Sequence, residues 1–170
     1  HALDLPVFLE PMSYSIDEKV SKDDEAFAVQ KREIVIETAR RLSQTGADVL
    51  KMEFPYDFRY ESDESAWRDA CTEMSEACAV PWVLLSAGVN FETFEHQTIV
   101  ACESGASGFL AGRAIWKEAV TMPPAERHDF LYGTATERLK RLVDIAADKS
   151  RPWSEFYTHP ESSERWYDNY

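Results

Sequence analysis

Short apolar runs alternate with helical patterns along the chain. The runs are continuous rather than alternating in polarity, which is typical of strands that are covered on both faces. These strand-like runs are Leu5–Leu9, Asp48–Phe54, Trp82–Ser86 and Gly108–Gly112. Apolar residues spaced three and four apart predict helices between and after the runs. The predicted helices are Glu25–Thr45, Asp63–Cys78, Phe91–Ser104, Ala114–Val120 and Asp129–Asp148.

The repeated strand–helix order predicts an α/β fold with a parallel sheet and helices outside it. Two layouts fit this order: an open doubly wound sheet and a closed (β/α)8 barrel of the TIM type. A complete barrel needs roughly 200 residues or more, whereas the chain has 170. Residues 1–150 are therefore expected to form about four βα units, or half a barrel. The aromatic, acidic tail 151–170 is expected to pack on the outside.

Two positions flanking the third predicted helix carry end signals. Asn90 directly precedes Phe91–Ser104 and is a predicted N-cap, because an asparagine side chain accepts a hydrogen bond from a free backbone N–H of the first turn. Gly105 directly follows the helix and predicts its end.

The chain begins with His1 rather than methionine, so we expect it to start inside a longer protein.

The charge balance excludes some classes of partner. The chain has 18 Lys and Arg against 31 Asp and Glu, giving a net charge of -13, which repels nucleic acid and anionic membranes. No apolar run approaches the roughly 20 residues that span a bilayer. The three cysteines, Cys71, Cys78 and Cys102, lie in helical patterns and are predicted to be buried, reduced thiols of a cytoplasmic protein.

Each predicted strand delivers polar or glycine-rich residues at its C-terminal end. The four ends are Glu10, Lys51 with Glu53, Ser86-Ala87-Gly88, and Gly112-Arg113. In parallel α/β folds, ligands bind at the C-terminal ends of the strands. The pattern therefore predicts an active site at this edge, without identifying the reaction.

Lys51 is the strongest single candidate. Because strand side chains alternate, Leu50, Met52 and Phe54 should meet the helices, and Lys51 and Glu53 should face the barrel interior. A lysine on a buried strand is costly unless it is paired or functional. Desolvation favours the neutral amine, which can attack a carbonyl carbon. A purely structural ion pair between Lys51 and either Glu10 or Glu53 is the alternative.

Two carboxylates accompany this lysine. Glu10 ends the neighbouring strand and could hold the lysine's charge or move protons as an iminium forms and collapses. A helix cap or a loop carboxylate is its alternative role. Glu53 is expected to support Lys51 as a member of an ion pair. Ser13 and Tyr14, in the loop after Glu10, could face the site or lie on the surface.

The last two strand ends predict an anion site. Small residues at Ser86, Ala87, Gly88 and Gly112 let backbone N–H groups approach oxyanions. Arg113 adds a planar, permanently charged donor for phosphate or sulfonate.

The histidines are scattered without the spacing of metal ligands, so no metal or other cofactor is expected. They are His1, His96, His128 and His159.

These motifs resemble the C-terminal half of the tagatose 1,6-bisphosphate aldolase family, which includes the sulfofructose-phosphate aldolases. The resemblance covers roughly residues 5–155, and Lys-x-Glu-x-Pro at the end of the second strand is its most specific part. The matching segments are Phe8–Pro11, Ala47–Pro55, Leu85–Val89 and Gly112–Trp116.

The resemblance implies a (β/α)8 barrel in which these strands are the fifth to eighth. It also implies a class I aldolase in which Lys51 forms a Schiff base with a ketose phosphate and Glu10 acts in acid/base steps. Ser86, Gly88, Gly112 and Arg113 match the anion-binding loops. The chain lacks the first four strands, so we expect it to be inactive alone. A complementing N-terminal half or a second copy would then be its partner. Another phosphate-binding barrel enzyme and an inactive half-barrel binding module remain alternatives.

Overall fold

The computed structural model describes residues 5–158, and within them four strands form one parallel sheet in the order β1-β2-β3-β4. The strands are β1 (Phe8–Leu9), β2 (Val49–Met52), β3 (Trp82–Leu85) and β4 (Phe109–Leu110). The helices are α1 (Glu25–Leu42), α2 (Glu64–Ala77), α3 (Phe91–Glu103), α4 (Arg113–Trp116), α5 (Pro124–Phe130) and α6 (Thr136–Lys149). This arrangement confirms the predicted α/β fold, and it is that of a partial TIM barrel.

The strand register brings the functional ends of the strands to one edge. Leu9 pairs with Leu50, Lys51 with Val83, and Leu85 with Leu110. Because every pairing is parallel and sequential, the C-terminal ends of all four strands meet at the same edge. The loops that begin there carry the candidate residues.

The outer face of the sheet and the helices form one hydrophobic core. On β2, Leu50 and Met52 are fully buried, which confirms the predicted alternation along this strand. The same core takes fully buried apolar side chains from the neighbouring strand and from the helices. They include Trp82, Leu84, Ala39, Met74, Phe94, Val100 and Leu142. Lys51 consequently lies on the opposite, inner face.

The inner face of the sheet is largely uncovered. Within residues 5–158, β1 and β4 each pair with a strand on one side only. Phe8 is 56% exposed and Leu110 is 42% exposed, although both are large apolar residues. In a closed barrel such side chains fill the interior together with those of the opposite strands.

The C-terminal third departs from the predicted helices. Ala114–Val120 was expected to be one helix, but α4 ends at Trp116 and a 3₁₀ helix follows over Lys117–Thr121. The predicted helix Asp129–Asp148 is divided between α5 and α6 by a π-helical turn over Leu131–Ala135. That turn contains Gly133, a weak helix former. None of the helices between residues 5 and 158 is long and apolar enough to cross a bilayer.

The described part of the tail packs against the base of the sheet. Trp153–Phe156 forms a 3₁₀ helix, and the Tyr157 hydroxyl donates a hydrogen bond to the carbonyl of Asp48. Trp153 and Tyr157 line an apolar cavity together with Phe8 on the inner side of the sheet. Residues 159–170, the rest of the predicted tail, lie outside the described residues.

The three cysteines are buried and unbonded, as predicted. Burial raises the pKa of Cys71 and of Cys78 to about 12 and that of Cys102 to about 11. Protonated thiols are poor nucleophiles, so these residues contribute packing to the core rather than chemistry.

The cap of α3 provides a test of this fold. Asn90 Oδ1 accepts a hydrogen bond of 2.8 Å from the Thr93 amide, as the sequence predicted. We expect Asn90→Ala to lower the free energy of unfolding by about 1 kcal/mol because an N–H of the first turn loses its partner. Asn90→Ser keeps an acceptor and should cost less. Urea unfolding followed by circular dichroism measures both, and equal losses in the two variants would contradict the capping role.

Candidate active site

The C-terminal ends of the strands surround a cavity of about 370 Å³. Its wall brings together six of the residues that the sequence singled out: Glu10, Lys51, Ser86, Ala87, Gly112 and Arg113. The strand and loop residues Leu85, Leu110 and Ala111 and the helix residue Trp116 complete the wall. Four different strand ends therefore contribute to one site.

Lys51 and Glu10 form an ion pair in this cavity. Lys51 Nζ donates to Glu10 Oε2 at 2.8 Å, and the two side chains are 25% and 45% exposed. The pair forms because β1 and β2 are adjacent and because burial of Leu50 and Met52 turns Lys51 to the inner face. Glu10 is placed to accept a proton from the amine and to return it, as general acid/base chemistry requires.

Arg113 supplies a second cation to the same cavity. Within residues 5–158 its guanidinium has no hydrogen-bond or ion-pair partner. It lies against Gly88, where an added Cβ would be 3.4 Å from Arg113 Cζ. A Cβ at position 88 would therefore be in van der Waals contact with the guanidinium. An unpaired arginine beside a lysine can bind an oxyanion through several N–H donors at once.

A tight turn connects β3 to the helix that follows. Ala87 and Gly88 have φ angles of +47° and +82°, and the Val89 amide donates to the Ser86 carbonyl at 3.1 Å. Positive φ at both central residues is the conformation of a type I′ turn. Alanine in the left-handed region is strained by about 1–2 kcal/mol, and backbone strain of this kind clusters at functional sites.

Two residues of the site were missed by sequence reasoning. Lys117 Nζ donates to the carbonyls of Gly88 and Val89 at 3.2 and 3.4 Å, and so anchors the turn. Trp116 lines the cavity, and its indole nitrogen would lie 3.5 Å from a Cβ added at Gly112. The spacing offered a signal for Trp116, because residues three apart lie on the same side of a helix. No local pattern marked Lys117.

Glu53 does not lie where the sequence placed it. It lines a neighbouring cavity with Gly88 and is 6% exposed. Among the described residues, Lys51 forms an ion pair only with Glu10, so the expected pairing with Glu53 is not present. Glu53 Oε2 instead accepts a hydrogen bond of 2.7 Å from the Ser13 amide. Since β2 ends at Met52, strand alternation no longer fixes the direction of the next side chains.

A protein-family model matches the part of the chain that contains all four strand ends. The model of the DeoC/LacD family aldolases matches residues 1–118. The chain belongs to the DeoC/LacD family of aldolases. This match includes every strand of the sheet and every residue of the cavity wall.

Individual relatives agree with this membership of the DeoC/LacD family. Tagatose 1,6-diphosphate aldolase of Streptococcus agalactiae serotype V is 32% identical over 172 residues, covering 91% of this chain and 52% of the relative. Tagatose 1,6-diphosphate aldolase 2 of Streptococcus pyogenes serotype M1 is 29% identical over 176 residues with the same two coverages. The chain thus spans about half the length of the curated relatives it matches.

The remaining sequence candidates have no contact with the cavity. Tyr14 is 73% exposed on the surface, and His96 pairs with Glu64 while its ring lies against Trp67. Over residues 5–158 there is no group of three or more His, Cys, Asp or Glu side chains arranged to hold a metal ion. His1 and His159 lie outside the described residues.

The strained turn of this DeoC/LacD aldolase chain generates a stability prediction. We expect Ala87→Val to lower the free energy of unfolding by about 2 kcal/mol, because a β-branched side chain fits the left-handed region worse than alanine does. Ala87→Gly is the control and should be neutral or stabilising, since glycine adopts this conformation without strain. Urea unfolding measures the difference, and a valine variant as stable as the glycine variant would show that the turn adapts.

Proposed function

We propose that this chain supplies the Schiff-base lysine and the anion-binding loops of a class I aldolase. The substrate would be a ketohexose phosphate or bisphosphate, or a 6-sulfo-ketose phosphate. Cleavage would release dihydroxyacetone phosphate and an aldehyde. The names of the relatives support tagatose 1,6-bisphosphate within this class.

One observation carries the proposal: the Lys51 amine contacts a carboxylate in a cavity that also holds Arg113, whose guanidinium has no partner among the described residues. The 2.8 Å contact with Glu10 allows direct proton transfer. In this proposal Arg113 and the turn at Ser86–Gly88 bind a phosphate or sulfonate group of the substrate, because Ser86, Ala87 and Arg113 line the same cavity as Lys51. A nucleophile, a proton carrier and an anion site are the parts that Schiff-base cleavage of a sugar phosphate requires.

The reaction begins when Glu10 accepts a proton from the Lys51 ammonium. The neutral amine attacks the ketone carbon C2, and the resulting carbinolamine loses water to form an iminium. Protonated Glu10 donates its proton to the departing water, and the restored carboxylate then removes the proton of the C4 hydroxyl, so that the C3–C4 bond breaks and the aldehyde is released. The bonding electrons move into the iminium and leave an enamine. Protonation at C3 and hydrolysis then free dihydroxyacetone phosphate and restore the amine.

The same chemistry explains why this mechanism requires no metal. An iminium at C2 accepts the electron pair of the breaking bond, which is the role that a Lewis-acid cation plays in other aldolases. Glu10 can serve in both directions because a carboxylate that accepts a proton in one step can return it in another.

The open inner face and the two open sheet edges support a further part of this proposal. Four more βα units would cover Phe8 and Leu110, pair with β1 and β4, and close the barrel around the cavity. We call the protein that includes these units the barrel-complete protein. A second copy of this chain is the other arrangement that would cover the same surface.

Trapping of the covalent intermediate tests the central claim. Sodium borohydride added to the barrel-complete protein during turnover of tagatose 1,6-bisphosphate should reduce the iminium and leave a stable adduct on Lys51. Mass spectrometry of the digested protein locates the adduct. Lys51→Arg keeps a positive charge but cannot form the iminium, so it should give neither adduct nor turnover. Turnover without an adduct would instead favour a phosphate-binding barrel enzyme of another kind.

Replacement of Glu10 tests whether this residue transfers protons or only balances the charge of Lys51. We expect Glu10→Gln to lower kcat by about 10²–10⁴-fold, the usual contribution of a positioned acid or base. The anion-binding residues are unchanged in this variant, so KM should change little. Steady-state kinetics measures both constants. An unchanged kcat would mean that Glu10 only balances the charge of Lys51.

The need for a completed barrel can be tested separately. We expect the 170-residue chain to show no turnover by itself and the barrel-complete protein to be active, because the isolated sheet leaves its inner face exposed. A coupled assay for dihydroxyacetone phosphate measures activity, and sedimentation analysis gives the oligomeric state. Substantial turnover by a chain shown to be monomeric would contradict the half-barrel assignment, whereas turnover by a dimer would indicate pairing of two copies.

A further inference from the structure

A buried carboxylate outside the proposed reaction centre holds the loop that carries Glu10. Glu53 is 6% exposed, and its Oε2 accepts a 2.7 Å hydrogen bond from the backbone amide of Ser13. Ser13 is three residues after Glu10 in the connection between β1 and α1. Because Glu53 lies two residues after Lys51, this hydrogen bond joins the lysine strand to the carboxylate loop a second time, beyond the Lys51–Glu10 pair.

The hydrogen bond from Ser13 to Glu53 differs from an ordinary surface hydrogen bond because its acceptor is buried. Its acceptor is charged and buried, and charge-assisted hydrogen bonds are shorter and stronger than neutral ones. A buried carboxylate without partners would be costly, so the interaction is maintained by the desolvation of Glu53 itself. The exposed ion pair between Lys51 and Glu10 cannot by itself hold the loop as firmly, because water competes with both groups.

The cavity beside Glu53 supplies the charge that stabilises it. The positively charged side chains on its wall are Lys22, Lys31 and Arg59. Arg59 is already paired with Asp57 and Asp23, whereas Lys31 Nζ has, among residues 5–158, only a long contact of 3.4 Å with the Tyr56 carbonyl. Burial lowers the pKa of Lys31, and the carboxylates of Glu53 and Asp57 oppose that shift. Lys31 therefore shares the cavity wall with Glu53, and that carboxylate favours its charged form.

We propose that Glu53 is a positioning residue, which clamps the β1–α1 loop through the Ser13 amide and thereby holds Glu10 against Lys51. This inference rests on the proposed function for its catalytic meaning, since it assigns how the proton carrier is kept beside the nucleophile. It replaces the expected ion pair between Glu53 and Lys51 with an indirect action through the loop.

The clamp predicts which atoms matter at Ser13. The donor is the backbone N–H, whereas Ser13 Oγ is buried and has no hydrogen-bond partner among the described residues. Ser13→Ala should therefore leave the clamp intact and serves as the matched control. Ser13→Pro removes the N–H and should open the clamp without any change at Glu53.

Hydrogen exchange tests the clamp directly. In the barrel-complete protein, Glu53→Ala and Ser13→Pro should speed amide exchange over residues 10–16 by roughly tenfold to a hundredfold, the factor expected for losing a hydrogen bond to a charged acceptor. Glu53→Gln keeps a neutral acceptor and should show a smaller increase. Ser13→Ala should match the parent protein.

Labelling of the Lys51 amine tests whether the clamp acts on the site. Loss of a nearby carboxylate destabilises the ammonium form, so a small amine-specific reagent at fixed pH should label Lys51 faster in Glu10→Gln. Glu53→Ala and Ser13→Pro should move the labelling rate towards that of Glu10→Gln, although neither alters a residue in contact with Lys51. A merely structural role for Glu53 would leave the rate unchanged in variants that remain folded.

Both measurements are independent of aldol chemistry. Unchanged loop exchange or unchanged Lys51 labelling in folded Glu53→Ala and Ser13→Pro variants would overturn the clamp, even if the enzyme forms a Schiff base. Failure to trap an adduct in the parent protein would overturn the proposed function instead, while the exchange and labelling results would still decide the clamp. Near-ultraviolet circular dichroism establishes that each variant is folded.

Discussion

The site depends on the burial of one face of β2 against the helices. Leu50 and Met52 have almost no exposure to solvent, and a strand that buries these two side chains must direct Lys51 to the opposite face. There the amine meets Glu10 from the neighbouring strand at 2.8 Å. The hydrophobic core thus determines the direction of the candidate nucleophile, and the parallel pairing of β1 with β2 determines its partner.

The turn after β3 separates two polar cavities with different contents. On one side, Lys51, Glu10 and Arg113 line one cavity, and the guanidinium has no partner within the part of the chain that the structure describes. On the other side, Glu53 and Lys31 share a cavity wall with Lys22 and with Arg59, which is paired with Asp57 and Asp23. Lys117 anchors the turn through hydrogen bonds to the backbone carbonyls of Gly88 and Val89. A strained, anchored turn keeps its shape when a ligand binds, which lowers the cost of ordering the site.

The charge of the cavity wall differs in sign from the charge of the whole chain. The whole chain has a net charge of -13, yet the cavity wall presents two cations and one carboxylate. Screening limits the reach of distant surface carboxylates to about 10 Å at ordinary ionic strength, so groups in contact with the ligand dominate. A ligand in this cavity would therefore meet a local charge that differs from the overall charge of the chain.

The sequence alone determined the alternation of strands and helices, the face of Lys51 and the polar residues at the strand ends, because these follow from local and repetitive patterns. Two sheet layouts fitted those patterns, and the order β1-β2-β3-β4 was decided by the tertiary structure. The sequence did not determine the partner of Glu53, the anchoring by Lys117 or the division of the last helix around Leu131–Ala135. Glu53 lies just after the end of β2, where strand alternation no longer predicts the direction of a side chain. Lys117 contacts Gly88 and Val89, which are distant in sequence, and periodicity does not predict such contacts. Such contacts are decided only when the helices, loops and sheet are packed together.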